Sequence, residues 1–427
     1  MIGKRNIKGI TKMSDHNSIH KEGKITALKA FFLVSLLGYG VTLLRLFFSH
    51  GECFGEIFDA SGYNAFMDMI MHLVFVNNPG QVYFSNPMAC FPPFAYIFYL
   101  FINRVLPIYG EVTLNDYRQN PYFLLFYIGF IVICCLVLSE EICAQIKDKT
   151  KHVFAFILVI ILSEPFLAGV IERGNSVFIA LLLLIPALWW KDSDKGYHKE
   201  LALIFIAMAA GLKIYPAIFG VLYLIEKRYK EAMRLTAYGI LIMFVPFVFF
   251  GGIAGFSQFL YNLTQVKNVG GNLHTIQNAI FLLNQKVIGE ELVSDQLYNA
   301  SLMVAIFVGL LFMFFAIISH KKWMRYLFLT VIMVIVVPSS YPYTTIYLLI
   351  PFLYFVMEAD QSKKDIICGC LWGGIFTMAA FPFPFFTRFF QASYCFESRY
   401  LFLTIMLILA MVEESCFFIA NKGENKQ

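Results

Sequence analysis

Apolar runs of helix-spanning length recur along almost the whole chain, and this constrains its fold more than any other feature. Such runs fit a bilayer core and no ordinary soluble domain. The composition agrees. The 427 residues are 59% hydrophobic and only 14% charged, with a mean hydropathy of +0.69. The pattern predicts an all-α polytopic membrane protein of about twelve helices, at 30–48, 92–106, 121–139, 152–171, 177–190, 201–226, 235–251, 301–319, 324–338, 344–357, 366–381 and 400–420. One transmembrane domain, 30–420, would follow a basic cytosolic N-terminus, 1–29, and precede a short cytosolic tail, 421–427. The first run is too long for a signal-peptide core and lacks a cleavage site of small residues, so it reads as a retained helix. There is no internal repeat and no soluble module.

The net charge of +5 comes largely from the N-terminus and from short basic turns. That is a topology signal rather than a nucleic-acid footprint. Twelve spans put Lys227-Arg228-Tyr229-Lys230 and His320-Lys321-Lys322 inside. They also put Lys147, Lys149 and Lys151, then Lys191, Lys195 and Lys199, outside, against the positive-inside tendency. An alternative path makes one segment before residue 140 re-entrant and folds 201–226 into a hairpin at Lys213. Broken backbone at membrane depth is tolerated only where it lines protein or a wet cavity, so either path implies a cavity.

Two outer loops follow from this pattern, 49–91 and 252–300. Between Arg45 and Arg104 there is no Lys or Arg, yet Glu52, Glu56, Asp59 and Asp68 fall there. A juxtamembrane loop that avoids basic residues reads as extracytoplasmic. Cys53 and Cys90 bracket it and could pair only in an oxidising compartment. The other cysteines lack zinc spacing. Phe58 to Val76 reads as an amphipathic interfacial helix. On it Asp59 and Tyr63 share a face, as do Asp68 and His72, while Asp59 and Asp68 lie about 180° apart. A plain solvated face accounts for this pattern equally well.

Three further sites carry chemical interest. Glu172-Arg173-Gly174-Asn175 opens an apolar helix, where an Arg and exposed amides make an anion site. Arg173 could equally be a snorkelling interfacial side chain. Lys213, in Gly211-Leu212-Lys213-Ile214-Tyr215-Pro216, lies amid apolar residues, at a kink expected from Pro216. A charge at that depth marks a site by default. His274, after Gly270-Gly271-Asn272-Leu273, and the outward Arg388 and Arg399 are weaker signals.

Taken in order, these pieces resemble the GT-C superfamily of membrane glycosyltransferases, in particular bacterial mannosyltransferases that use polyprenyl-phosphate-mannose. The enzyme that adds the first mannose to GPI anchors is a more distant likeness. Asp59-x-x-x-Tyr63-x-Ala65, Tyr83 and Phe91-Pro92-Pro93-Phe94-Ala95-Tyr96 resemble the family's first outer loop; Arg173-Gly174-Asn175 and Gly211–Pro216 resemble two later motifs. The resemblance implies an inverting hexosyl transfer from a polyprenyl-phosphate donor to a glycolipid or glycan acceptor, on the outer face of a bacterial inner membrane. It makes Asp59 the general base. Tyr63, Asp68, Arg173, Asn175, Lys213, Tyr215, His274 and Arg388 are then the candidate substrate contacts. Ala60 and Gly62 stand where the GPI enzyme has a paired acidic motif, so neither a divalent metal nor another cofactor is expected. A surface-polysaccharide polymerase or ligase, and a lipid-linked sugar transporter, are the competing classes.

Overall fold

The computed structural model describes residues 26–52, 58, 65–85, 87–106, 108, 113–146, 152–265, 275–289, 294–338, 340–359, 362–377 and 394–424. Among them every regular element is helical. Five helices are long and apolar enough to cross a membrane: Ala27–Phe48, Pro121–Ile146, Tyr229–Phe249, Asp295–Ile318 and Arg399–Asn421. A sixth forms if Val153–Ile161 and Glu164–Glu172, bent by 53°, count as one. The remaining segments of the predicted dozen are short or interrupted.

The apolar faces pack against one another as in other helical membrane proteins, with small residues at the closest approaches. Ala27–Phe48 runs beside Lys363–Ile375 over Gly369 and Gly373. A Cβ at Gly369 would lie 2.1 Å from the Ala27 carbonyl oxygen, so no side chain fits there.

Ion pairs fix which turns share an end of the molecule. Lys191 pairs with Asp192 at 2.9 Å and Glu226 at 2.6 Å. Asp192 also holds Arg228 at 3.2 Å and Lys322 at 3.0 Å. Lys321 and Lys364 meet on Glu413 at 3.0 and 2.8 Å. The turns after residues 190, 225, 318 and 358 therefore lie together, beside Glu413 on the last helix, Tyr394–Glu424. A path that separates Lys191 from Arg228 and Lys322 is overturned by these contacts.

The helix Val177–Trp190 has Arg173 before it and Lys191 after it, so these two cations mark opposite ends. Gly196–Leu212 starts at the Lys191 end and stops at Lys213, beside Phe91 and Tyr343. Tyr215–Ile225 then returns to Glu226, on Lys191. The segment 201–226 is thus a hairpin and not one span. Its break falls on Lys213 itself, at φ −146° and ψ 132°, ahead of Pro216. Pro216 instead starts a 3-10 turn, Tyr215–Gly220, where its missing N–H costs nothing. Likewise Pro93–Val105 does not reach the basic end. Asn103, near its end, donates to the Leu73 carbonyl at 3.1 Å and to Asn77 at 2.9 Å.

The predicted helix over 58–76 is shorter. It spans Met67–Phe75, and Phe66 before it has a left-handed φ of +58°. That residue ends any continuous helix from the N-terminal side.

Candidate active site

The site gathers at the end away from the Lys191 and Glu413 ion pairs, on three chain breaks: the start of Met67–Phe75, the turn at Arg173 and the turn at Lys213. The first two are sewn together by backbone. The Phe66 N–H donates to the Glu172 carbonyl at 2.7 Å, and the Asp68 N–H to the Arg173 carbonyl at 3.0 Å. Side chains complete the joint. Arg173 donates to both Asp68 oxygens, at 2.8 and 3.2 Å, and the Asn175 amide donates at 2.6 Å. Such a fork-to-fork pair fixes geometry as well as charge. Gly174 makes the turn, with φ +70°, and a Cβ there would stand 3.0 Å from Met69 and Tyr127.

The anion held by the Arg-Gly-Asn turn is therefore the chain's own Asp68. Burial by itself would raise the Asp68 pKa. The Arg173 charge and the bonds from Arg173 and Asn175 outweigh it, and the carboxyl lies below its ordinary range.

His72, one turn on, does not pair with Asp68. Among the described residues neither ring nitrogen has a hydrogen-bond partner, and the residue is buried. The ring lies against Phe91, tilted by 40° at 4.1 Å, and stacks on Tyr99 at 4.8 Å between centroids. Burial, aided by the Lys213 charge, draws its pKa down to about 3, so His72 is neutral at pH 7.

Lys213 is 5% exposed. Its ammonium lies 3.3 Å from the Phe91 ring centroid and 5.4 Å from that of Tyr343. Among the described residues it makes no hydrogen bond or ion pair. Tyr215, two residues on, packs edge-on against Tyr347 at 5.8 Å, with its hydroxyl buried. Arg399 is not a free headgroup ligand. It is buried, pairs with Glu164 and donates to the Ile375 carbonyl at 3.2 Å.

Of the predicted site residues, Asp68, Arg173, Asn175, Lys213 and Tyr215 come together at this end. Asp59, Tyr63, His274 and Arg388 lie outside the described residues, as does Cys53. Phe91, Tyr343 and His72 join the site although the sequence assigns them no substrate contact. The usable signals were the Pro92-Pro93 break after Phe91 and the Tyr-Pro-Tyr break at 341–343. Among the described residues no group of three or more His, Cys, Asp or Glu is placed to hold a metal ion.

No curated protein and no solved structure matches the chain. A family model does, over residues 75–340, which takes in Phe91, the Arg173 turn and Lys213 but stops short of Asp59 and Asp68. That match covers more than half of the chain, which belongs to Glycosyltransferase family 87 and is a membrane glycosyltransferase of the GT-C type.

Proposed function

We propose that this glycosyltransferase moves a sugar, mannose in the first instance, from a polyprenyl-phosphate donor to a glycolipid or glycan acceptor. The observation that carries the reading is a buried ammonium with no hydrogen-bond or ion-pair partner among the described residues, on a lysine whose chain neighbours line an apolar groove. The groove has a volume of about 500 Å³ and lies between the 201–226 hairpin and Tyr229–Phe244. Its lining includes Gly211 and Ile214, on either side of Lys213, then Ala217, Gly220 and Met243. A lipid phosphate has the matching halves: a chain for the groove and an anion for the ammonium.

In this reading the acceptor hydroxyl loses its proton to the Asp59 carboxylate. Its oxygen forms a bond to the anomeric carbon as the bond from that carbon to the phosphate oxygen breaks. The polyprenyl phosphate leaves with its charge held by Lys213, and the anomeric centre inverts. No metal is assigned a step. Asp68, Arg173 and Asn175 hold the wall beside the phosphate; Tyr63, Tyr215, His274 and Arg388 remain candidate sugar or acceptor contacts.

The ion-paired end, rich in Lys and Arg, is assigned to the cytosol and the Lys213 end to the outside. With 92–106 re-entrant and 201–226 doubled back, the path keeps twelve crossings and both chain ends inside. An impermeant thiol reagent on intact cells should label Ser61→Cys and not Asp194→Cys; the opposite pattern rejects the orientation.

The test of function is transfer of radiolabelled sugar from polyprenyl-phosphate-mannose by the purified protein across a panel of acceptors. Inverted product is expected. No transfer to any acceptor, with active transfer from a nucleotide sugar, would overturn the donor assignment.

A further inference from the structure

Burying a lysine without a carboxylate partner ordinarily favours the neutral amine. Lys213 has no such partner among the described residues, and aromatic rings occupy the place of one. Phe91 presents its ring 3.3 Å from the ammonium, well inside the 6 Å range of cation–π attraction. Tyr343 stands behind it at 5.4 Å.

The ring is itself held on several sides. His72 lies against it, tilted, at 4.1 Å between centroids, and the Tyr83 hydroxyl donates to the Phe91 carbonyl at 2.9 Å. Asn262, from the helix Gly252–Gln265, donates to the Tyr83 and Ala89 carbonyls at 2.9 and 3.1 Å. Pro92 and Pro93 fix the chain that follows. So much positioning of one phenyl ring is not needed merely to fill space.

We propose that Phe91 is a positioning residue, an aromatic seat that keeps Lys213 charged and in place while leaving its N–H donors open to a lipid-linked phosphate. A carboxylate would hold the lysine as well but would compete with the phosphate for it. Arg173 illustrates that alternative, because its guanidinium is already engaged by Asp68. The neutral face of Phe91 stabilises the cation without neutralising it. His72, uncharged, backs the ring without adding a second charge. The charged and titratable groups around the lysine are Asp68 and His72 on Met67–Phe75, Cys90 beside Phe91, Arg173, and Tyr343 on the facing turn. This inference rests on the assignment of Lys213 to the donor phosphate.

The test measures the dissociation constant of a polyprenyl phosphate in detergent micelles from pH 6 to 10, which requires neither the sugar nor the acceptor. Inorganic phosphate serves as the second probe. Phe91→Leu should weaken binding at pH 7.5 by roughly 5- to 30-fold, the span that cation–π energies convert to. Its alkaline loss of affinity should also move to lower pH. Phe91→Tyr should keep both near wild type. Tyr343→Leu, farther from the ammonium, should show the same change on a smaller scale and guards against Phe91→Leu failing to fold. Equal impairment of Phe91→Tyr and Phe91→Leu, or an alkaline limb unmoved in Phe91→Leu and in Tyr343→Leu, overturns the seat. Lys213→Met separates the two layers. If it binds polyprenyl phosphate as tightly as wild type, the phosphate assignment itself fails. If it binds weakly while Phe91→Leu binds normally, only the seat fails. Inorganic phosphate binding as tightly as the lipid would mean that the groove adds nothing.

Discussion

The two ends of the bundle treat charge in opposite ways. At the basic end cations are met by acids: Lys191 has Asp192 and Glu226, Arg228 has Glu231, Lys364 has Glu413. At the other end Lys213 is buried with rings for neighbours, and both His72 nitrogens lack hydrogen-bond partners among the described residues. Paired charges hold turns in register and contribute little individually at an exposed rim. A buried polar group left unpartnered costs about 1–3 kcal/mol, so its presence needs another reason. The contrast teaches that the abundance of cations at one end is architecture, whereas the buried lysine at the other, without an acid partner among the described residues, is the place the proposed function gives to an outside anion. Arg173 and Arg399 sit away from the basic end yet behave like it, because Asp68 and Glu164 already hold them.

The contrast can be broken by mutation, beginning with the largest effect. Asp59→Asn keeps shape and polarity but cannot take the acceptor proton, and turnover should fall by roughly 10²–10⁴-fold with donor KM little changed. A steady-state assay of both constants decides it; if Asp68→Asn loses more turnover per folded molecule, the base is Asp68. Lys213→Met should raise donor KM at least about tenfold, since each 1.4 kcal/mol of lost phosphate contact is a factor of ten, with folded yield near normal. A collapse in yield, together with unchanged donor KM in the protein that does fold, would make Lys213 structural.

Asp68→Asn sharpens the comparison from the stability side. Removing one partner of a buried pair costs about 3–5 kcal/mol, and Arg173, at 27% exposure, should bring this to the lower end. The melting temperature should drop clearly while the turnover of the folded fraction stays within a few-fold. The sign of the pH effect follows from the depressed Asp68 pKa. The pair's contribution is complete above the unfolded value of about 3.9 and is lost as pH falls through the lower folded value. Wild type should therefore lose stability in acid over that window, and Asp68→Asn should lose less. The smallest effect belongs to Lys191→Met. Lys191 itself is buried, but the acids it would leave, Asp192 and Glu226, are 39% and 24% exposed and still balanced by Arg228 and Lys322, so about 1 kcal/mol of stability should go. Both kinetic constants should be unchanged. A shift in donor KM from that distant end would erase the distinction between the two ends.

The sequence by itself determined the helical membrane architecture, because apolar run length is a local property that the bilayer reads directly. It also marked Lys213 and the Arg-Gly-Asn turn, since a charge amid apolar residues and a glycine turn before a helix are visible without a fold. Only the tertiary structure decided which of those charges are already satisfied. Asp68 and Arg173 are 105 residues apart, and Phe91 and Lys213 come from different breaks in the chain. Their pairing depends on how the helices pack, which no local pattern records. For the same reason periodicity extended the 58–76 helix through Phe66, although its left-handed backbone and its bond to the Glu172 carbonyl start the helix afresh. The hairpin at Lys213 was likewise one of two paths consistent with the apolar runs. The long-range contacts of Lys191, Asp192, Glu226 and Lys322 chose between them, because ion pairs this short require their turns to lie at one end.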